Sequence, residues 1–122
     1  MSLGKIVHIE FGTSDYEKLK GFYTKLFGWS FDEKEQFGYA LFDTATKAYT
    51  CGVSVSEEPN TMGLLVYFEV ESIDQALADA KNTGAKVLMD KAEMGDKGLF
   101  AVIKDPFGNT LALWEWAKKS FV

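Results

Sequence analysis

A single cysteine, Cys51, is all the thiol chemistry this chain has, so no internal disulfide can staple it and a reducing compartment is expected. No run of Lys or Arg interrupts a net charge of −5, which excludes the basic stripe that nucleic-acid phosphates need; Lys118-Lys119 reads as a solvated end. Apolar stretches fall far short of a membrane span, and the N terminus lacks a charged segment leading into an apolar core, so no membrane partner and a soluble, cytoplasmic protein are expected. There is no Ser-His-Asp arrangement, phosphate loop or dinucleotide fingerprint. Nothing reads as a linker, and 122 residues suffice for one domain (1–122) but not for a catalytic domain with a separate lid domain. Histidine is as scarce as cysteine: His8 stands alone.

What the chain does have is repetition. Val7-His8-Ile9-Glu10-Phe11 precedes a helix signal, and Val66-Tyr67-Phe68-Glu69-Val70 precedes another. Ser14 with Glu17, and Ser72 with Gln75, read as capping boxes that open both helices. Leu19, Phe22, Tyr23 and Leu26 give the first helix, about 15–27, an apolar stripe assigned to the core, and Ile73, Ala76, Leu77 and Ala80 repeat the spacing. Gly28 and Gly84 are placed to end them.

Four β-rich runs separate the helices, at 29–31, 39–42, 49–55 and 64–70, with a loop at 32–38. Strands at 86–89, 99–103 and 110–116 follow the second helix, with a loop at 90–97 and the turn Asp105-Pro106-Phe107-Gly108-Asn109 before the last strand. The order is β-α-β-β-β twice, module 1 about 4–56 and module 2 about 63–118. A ferredoxin-like sandwich would put only two strands between its helices. The expected fold is α+β: two βαβββ modules forming a curved, cup-shaped mixed sheet, helices outside, with one site between matched halves.

His8, the run Phe22-Tyr23-Thr24-Lys25-Leu26-Phe27-Gly28-Trp29, the segment Asn82-Thr83-Gly84-Ala85-Lys86-Val87, Lys104-Asp105-Pro106-Phe107-Gly108-Asn109 and the ending Leu113-Trp114-Glu115 together carry a family resemblance. Over nearly its whole length the chain resembles the glyoxalase, bleomycin-resistance and extradiol-dioxygenase superfamily of the vicinal-oxygen-chelate fold, and within it the glyoxalase-like, lactoylglutathione-lyase-related proteins. That scaffold hosts isomerases, lyases, dioxygenases and non-enzymatic drug-binding proteins. The resemblance implies four inward-facing His or Glu ligands for a divalent ion. They fall on His8, on Thr50 or Cys51, on Leu65 and on Ala112, so only the first is a metal ligand by type. A repeat-based alignment matches His8 with Tyr67 rather than Leu65.

No metal site and no cofactor are therefore expected, with a rearranged set of His8, Glu10, Glu69 and Cys51 as the alternative that would hold a divalent ion. His8 is the candidate acid or base, being the side chain that titrates near neutrality. By strand parity His8, Glu10, Tyr67, Glu69 and Trp114 are the candidate ligand-binding residues, and Trp116 shares the parity of Trp114. Large amphipathic rings in a concavity suit a planar or apolar guest, or equally a packed floor or dimer interface. Cys51 has no neighbouring cation in sequence to activate it. The reading is a metal-independent, homodimeric small-molecule-binding protein. The alternatives are a glyoxalase-like lyase or isomerase using a displaced metal or His8, and an interaction module with a vestigial cup.

Overall fold

Both halves of the chain fold in the order the repeat predicts. A computed structural model describes residues 4–57 and 64–118. The expected features at Met1-Ser2-Leu3, Gly63 and Lys119 lie outside the described residues. The chain divides into two compact units, residues 8–65 and residues 66–122 with 1–7.

The first unit carries β1 (Ile6–Thr13) from His8 onward, α1 (Tyr16–Phe27), β2 (Ser30–Phe31), β3 (Tyr39–Asp43) and β4 (Thr50–Val55). Its strands run β2-β3-β4-β1, with β1 parallel to β4 and the other pairs antiparallel. The second unit repeats this with β5 (Leu65–Glu69) from Val66 onward, α2 (Ile73–Asn82), β6 (Lys86–Met94), β7 (Gly98–Lys104) and β8 (Thr110–Trp116), in the order β5-β8-β7-β6. There β5 is parallel to β8. Gly4 N–H donates to the Glu69 carbonyl and Glu69 N–H to the Lys5 carbonyl, so the residues before His8 belong to this second unit.

Three local expectations are corrected. Asp15, not Ser14, caps α1: its carboxylate accepts the Lys18 N–H at 3.1 Å. The Thr13 hydroxyl holds the Asp15 N–H at 3.0 Å, which moves the helix start one residue on, and Glu17 pairs with Lys20 instead. The buried stripe of α1 turns with it. Tyr16 is buried, its hydroxyl donating to the Asp32 carbonyl, and Leu19 and Tyr23 follow it inward. Phe22 and Leu26, assigned to the core, are 59% and 57% exposed. Finally, β6 continues to Met94 through the stretch expected as loop, because β7 pairs with it across two register shifts.

Each unit packs its helix on one sheet face. Ile73 and Leu77 of α2 meet Val70, Ala101, Ile103 and Leu113, as the periodicity predicts. In the first unit Tyr16 joins Ala40, Phe42, Cys51 and Val53 under a cluster of rings centred on Phe11 and Trp29.

Ser72 caps α2 at Gln75 N–H, but Gln75 itself turns to Asp79, so the reciprocal half of the box is missing. Glu115 supplies the second acceptor: its Oε1 takes the Ile73 N–H at 2.8 Å, placing a carboxylate at the positive end of the helix. Glu115→Ala should cost about 1 kcal/mol, the usual worth of such a cap, read as a lowered Tm, and Glu115→Gln should restore part of it.

Candidate functional site

Strand alternation gives every sheet two faces, and the face opposite each helix carries the candidate residues. In the first unit this face presents His8 and Glu10 from β1, Tyr39 and Leu41 from β3, and Thr50, Gly52 and Ser54 from β4. His8 and Thr50 are register partners, and Thr50 Oγ1 lies 2.6 Å from His8 Nδ1. Cys51 pairs with Ile9 on the opposite, helix-covered face. The ambiguity between Thr50 and Cys51 is thereby settled for Thr50, and Cys51 cannot join His8 in a rearranged metal set. Burial and the Asp43 charge push its thiol pKa up, so it stays an inert, protonated core group.

The other imidazole nitrogen belongs to a residue that sequence reasoning missed. Tyr39 crosses from β3 and sets its hydroxyl 2.5 Å from His8 Nε2. It can do so because Gly52 leaves the intervening strand bare; a Cβ there would sit 2.5 Å from Tyr39 Cζ. A glycine within an otherwise β-rich run signals such close approach. The half-buried imidazole is held neutral, its pKa lowered by desolvation to about 4. A neutral ring between two hydroxyls donates one hydrogen bond and accepts the other.

In the second unit the corresponding face presents Tyr67 and Glu69 from β5, Ala112, Trp114 and Trp116 from β8, and Gly98, Phe100 and Val102 from β7. Tyr67 is the register partner of Ala112 as His8 is of Thr50, so the structure favours the repeat-based alignment over Leu65. Glu69 then matches Glu10, Trp114 matches Gly52, and Gly98 matches Tyr39. Ring and glycine have changed places. In one unit the ring of β3 lies over a glycine of β4, and in the other the Trp114 indole of β8 lies over Gly98 of β7.

Tyr67, Phe100, Trp114 and Trp116 form one aromatic surface, with edge-on contacts of 6.4 Å between Tyr67 and Trp114 and 5.4 Å between Trp114 and Trp116. Trp114 is buried and its indole N–H has no hydrogen-bond partner. Trp116, half exposed, donates its indole N–H to Glu69 Oε1 at 2.6 Å. The structure thus joins Tyr67, Glu69 and Trp114 in one unit and His8 and Glu10 in the other.

The donor chemistry does not fit the divalent ion of the resemblance. Of its four positions, Leu65 or Tyr67 supplies at best a phenol, and Ala112, fully buried, supplies nothing. Among the described residues no three His, Cys, Asp or Glu side chains cluster for a metal. Two cavities are found in the first unit: about 670 Å³ between α1 and the Trp29–Phe31 segment, and about 190 Å³ lined by residues 41–44, Thr46, Lys47 and residues 49–51, which meets the candidate face at Leu41 and Thr50.

A model of the Glyoxalase/Bleomycin resistance protein/Dioxygenase superfamily matches residues 5–113. A protein named putative glyoxylase CFP32 from Mycobacterium tuberculosis is 27% identical over 119 residues, covering 88% of this chain, and so is its Mycobacterium bovis counterpart. The chain spans 44% of the length of these relatives. Among solved structures, methylmalonyl-CoA epimerase from M. tuberculosis superposes with a TM-score of 0.66 at 15% identity, covering 93% of this chain and 89% of that one. The Mn(II)-bound glyoxalase from Novosphingobium aromaticivorans gives 0.64 at 17% identity, covering 99% of this chain and 43% of that one. At such identities the likeness is one of fold.

Proposed function

Because this chain belongs to the glyoxalase, bleomycin-resistance protein and dioxygenase superfamily, we propose that it is a metal-independent member that binds a small organic ligand on the faces carrying His8 and Glu10 and carrying Tyr67, Glu69 and Trp114. The observation that carries this reading is the donor set. An ion held by one imidazole, with alanine and leucine or tyrosine at two other positions, loses to water. Both imidazole nitrogens are also engaged by hydroxyls, so the ring is built into the sheet face. In this reading the protein is a cytoplasmic homodimer with no nucleic-acid or membrane partner.

The test is elemental analysis of the dialysed protein with Tm measured against added Mn²⁺, Ni²⁺ and Zn²⁺. No retained metal and no concentration-dependent rise in Tm are expected, since an ion binding only the folded state must stabilise it. A stoichiometric ion surviving dialysis would overturn metal independence.

A glyoxalase-like lyase or isomerase is the second reading, favoured by His8 at the first ligand position and by the naming of the relatives as putative glyoxylases. It requires turnover that His8→Ala abolishes without unfolding the chain. Equal residual rates in variant and wild type would exclude His8 from any such chemistry.

A further inference from the structure

We propose that the aromatic face of the second unit is a subsite for the alkylated ammonium group of an organic ligand, with Trp116 as the platform and Glu69 as the counter-charge. The inference rests on the reading of the chain as a small-molecule binder and names the chemistry its ligand carries.

Glu69 is the starting point. The carboxylate is half-buried, stands beside Trp114 in register and receives the Trp116 indole N–H at 2.6 Å. Among the described residues no lysine makes an ion pair with it. The chain has no arginine at all. Lys118, two residues past Trp116, is exposed and makes no ion pair with it. Lys104 shares the face but stands at the other end of β7, six residues or roughly 20 Å from the Gly98–Trp116 pair. A carboxylate partly withdrawn from water and answered by one neutral donor leaves a negative potential next to the rings.

The rings suit the same ligand charge. The hydrogen bond to Glu69 holds the half-exposed Trp116 indole by its N–H edge, which leaves its electron-rich faces to other contacts. Trp114 meets it edge-on at 5.4 Å and 82°, and Tyr67 continues the wall. A cation over an indole face is the strongest of the cation–π arrangements. A weakly hydrated alkylated ammonium sheds its water more cheaply than a metal ion, and it asks for no ligand donors, which this face lacks.

The repeat isolates what is special here. Glu10 occupies the matching position in the first unit, but Gly52 and Ser54 stand where the second unit has Trp114 and Trp116. The carboxylate is duplicated and the aromatic platform is not. Gly98 is the change that admits it, since any Cβ there would collide with the Trp114 ring.

Choline and its uncharged isostere 3,3-dimethyl-1-butanol, titrated into the full-length protein with the indole N–H resonances and tryptophan fluorescence as readouts, test the assignment. Saturable binding of choline that moves the Trp116 indole signal is expected, with the isostere at least about tenfold weaker and the binding weakened by salt. Glu69→Gln keeps an acceptor for Trp116 and should also weaken choline at least about tenfold. Equal binding of the isostere, an undiminished Glu69→Gln, or no binding of choline would overturn the subsite. Binding of neutral aromatic compounds alone would overturn it while leaving the small-molecule reading intact. Choline binding in a protein that also retains a metal would leave the subsite intact and overturn metal independence.

Discussion

Gly98→Ala should be the most damaging single-methyl change in the second unit, lowering stability by about 3 kcal/mol, the upper end for overpacking, and Tm by roughly 10 °C. A Cβ at this position would meet the backbone carbonyl oxygen of Glu115 and come within 2.7 Å of Trp114 Cζ2. Neither can yield cheaply. The carbonyl belongs to β8, the register partner of β7 along its whole length, and the indole is buried under the surrounding rings. The added methyl must therefore part the β7–β8 ladder or expel Trp114 from the face. Gly21→Ala makes the contrast: the same methyl on an exposed turn of α1 has nothing within 4 Å and should stabilise by about 0.5–1 kcal/mol through helix propensity. Urea unfolding of the two variants, with near-ultraviolet circular dichroism to follow Trp114, measures both. A Gly98→Ala protein as stable as wild type would show that the indole has free room on the other side.

Gly98 also marks where sequence reading stops. Strand and helix order was legible because each element carries its own period, and the duplication could be seen because capping residues, apolar stripes and turn glycines recur at matched spacing. The stripe of α1 was misread by one position. Phe22 and Leu26 satisfy the helical period as well as Tyr16 and Leu19 do, and only the contacts of Tyr16 with Asp32 and Phe31 decide which side is buried. The site was half legible. Parity grouped His8, Glu10, Tyr67, Glu69 and Trp114 as candidates for one face, yet the partners of His8 come from strands 31 and 42 residues away in sequence. Register between strands is a tertiary quantity that no local pattern encodes. What the sequence offered was indirect: Gly52 as a gap within a β-rich run and Gly98 at the head of another, each beneath a ring from a neighbouring strand. Glu115 misleads in the opposite sense. It belongs to the motif that carries the resemblance, but its parity sends it to the helix side, where it caps α2.

Acid should destabilise this protein through His8 as pH falls from about 6.5 toward 4. Free imidazole takes up its proton near 6.5, whereas desolvation lowers the folded value to about 4. The stabilisation is therefore complete above pH 6.5 and shrinks as pH falls, since the unfolded chain binds the proton first; near pH 4 it is nearly gone. Full transfer of the shift to stability would amount to no more than about 3.5 kcal/mol, because each pKa unit is worth about 1.4 kcal/mol. Hydrogen bonding does not oppose the charge, as the hydroxyls of Thr50 and Tyr39 can turn to accept from an imidazolium. The cost lies in removing a charged ring from water. Chemical denaturation of wild type and His8→Gln across pH 7 to 4 isolates the effect, because carboxylate titration is common to both and cancels in the difference. The curves should converge as pH falls through this window, and parallel curves would refute the depressed pKa. The same proton bears on chemistry. A ring neutral at pH 7 and bonded at Nε2 to Tyr39 must release that hydroxyl before it can take a proton from a ligand. Tyr39→Phe should accordingly free Nε2 and raise the His8 pKa only insofar as water replaces the phenol, which a histidine proton titration by NMR reads directly.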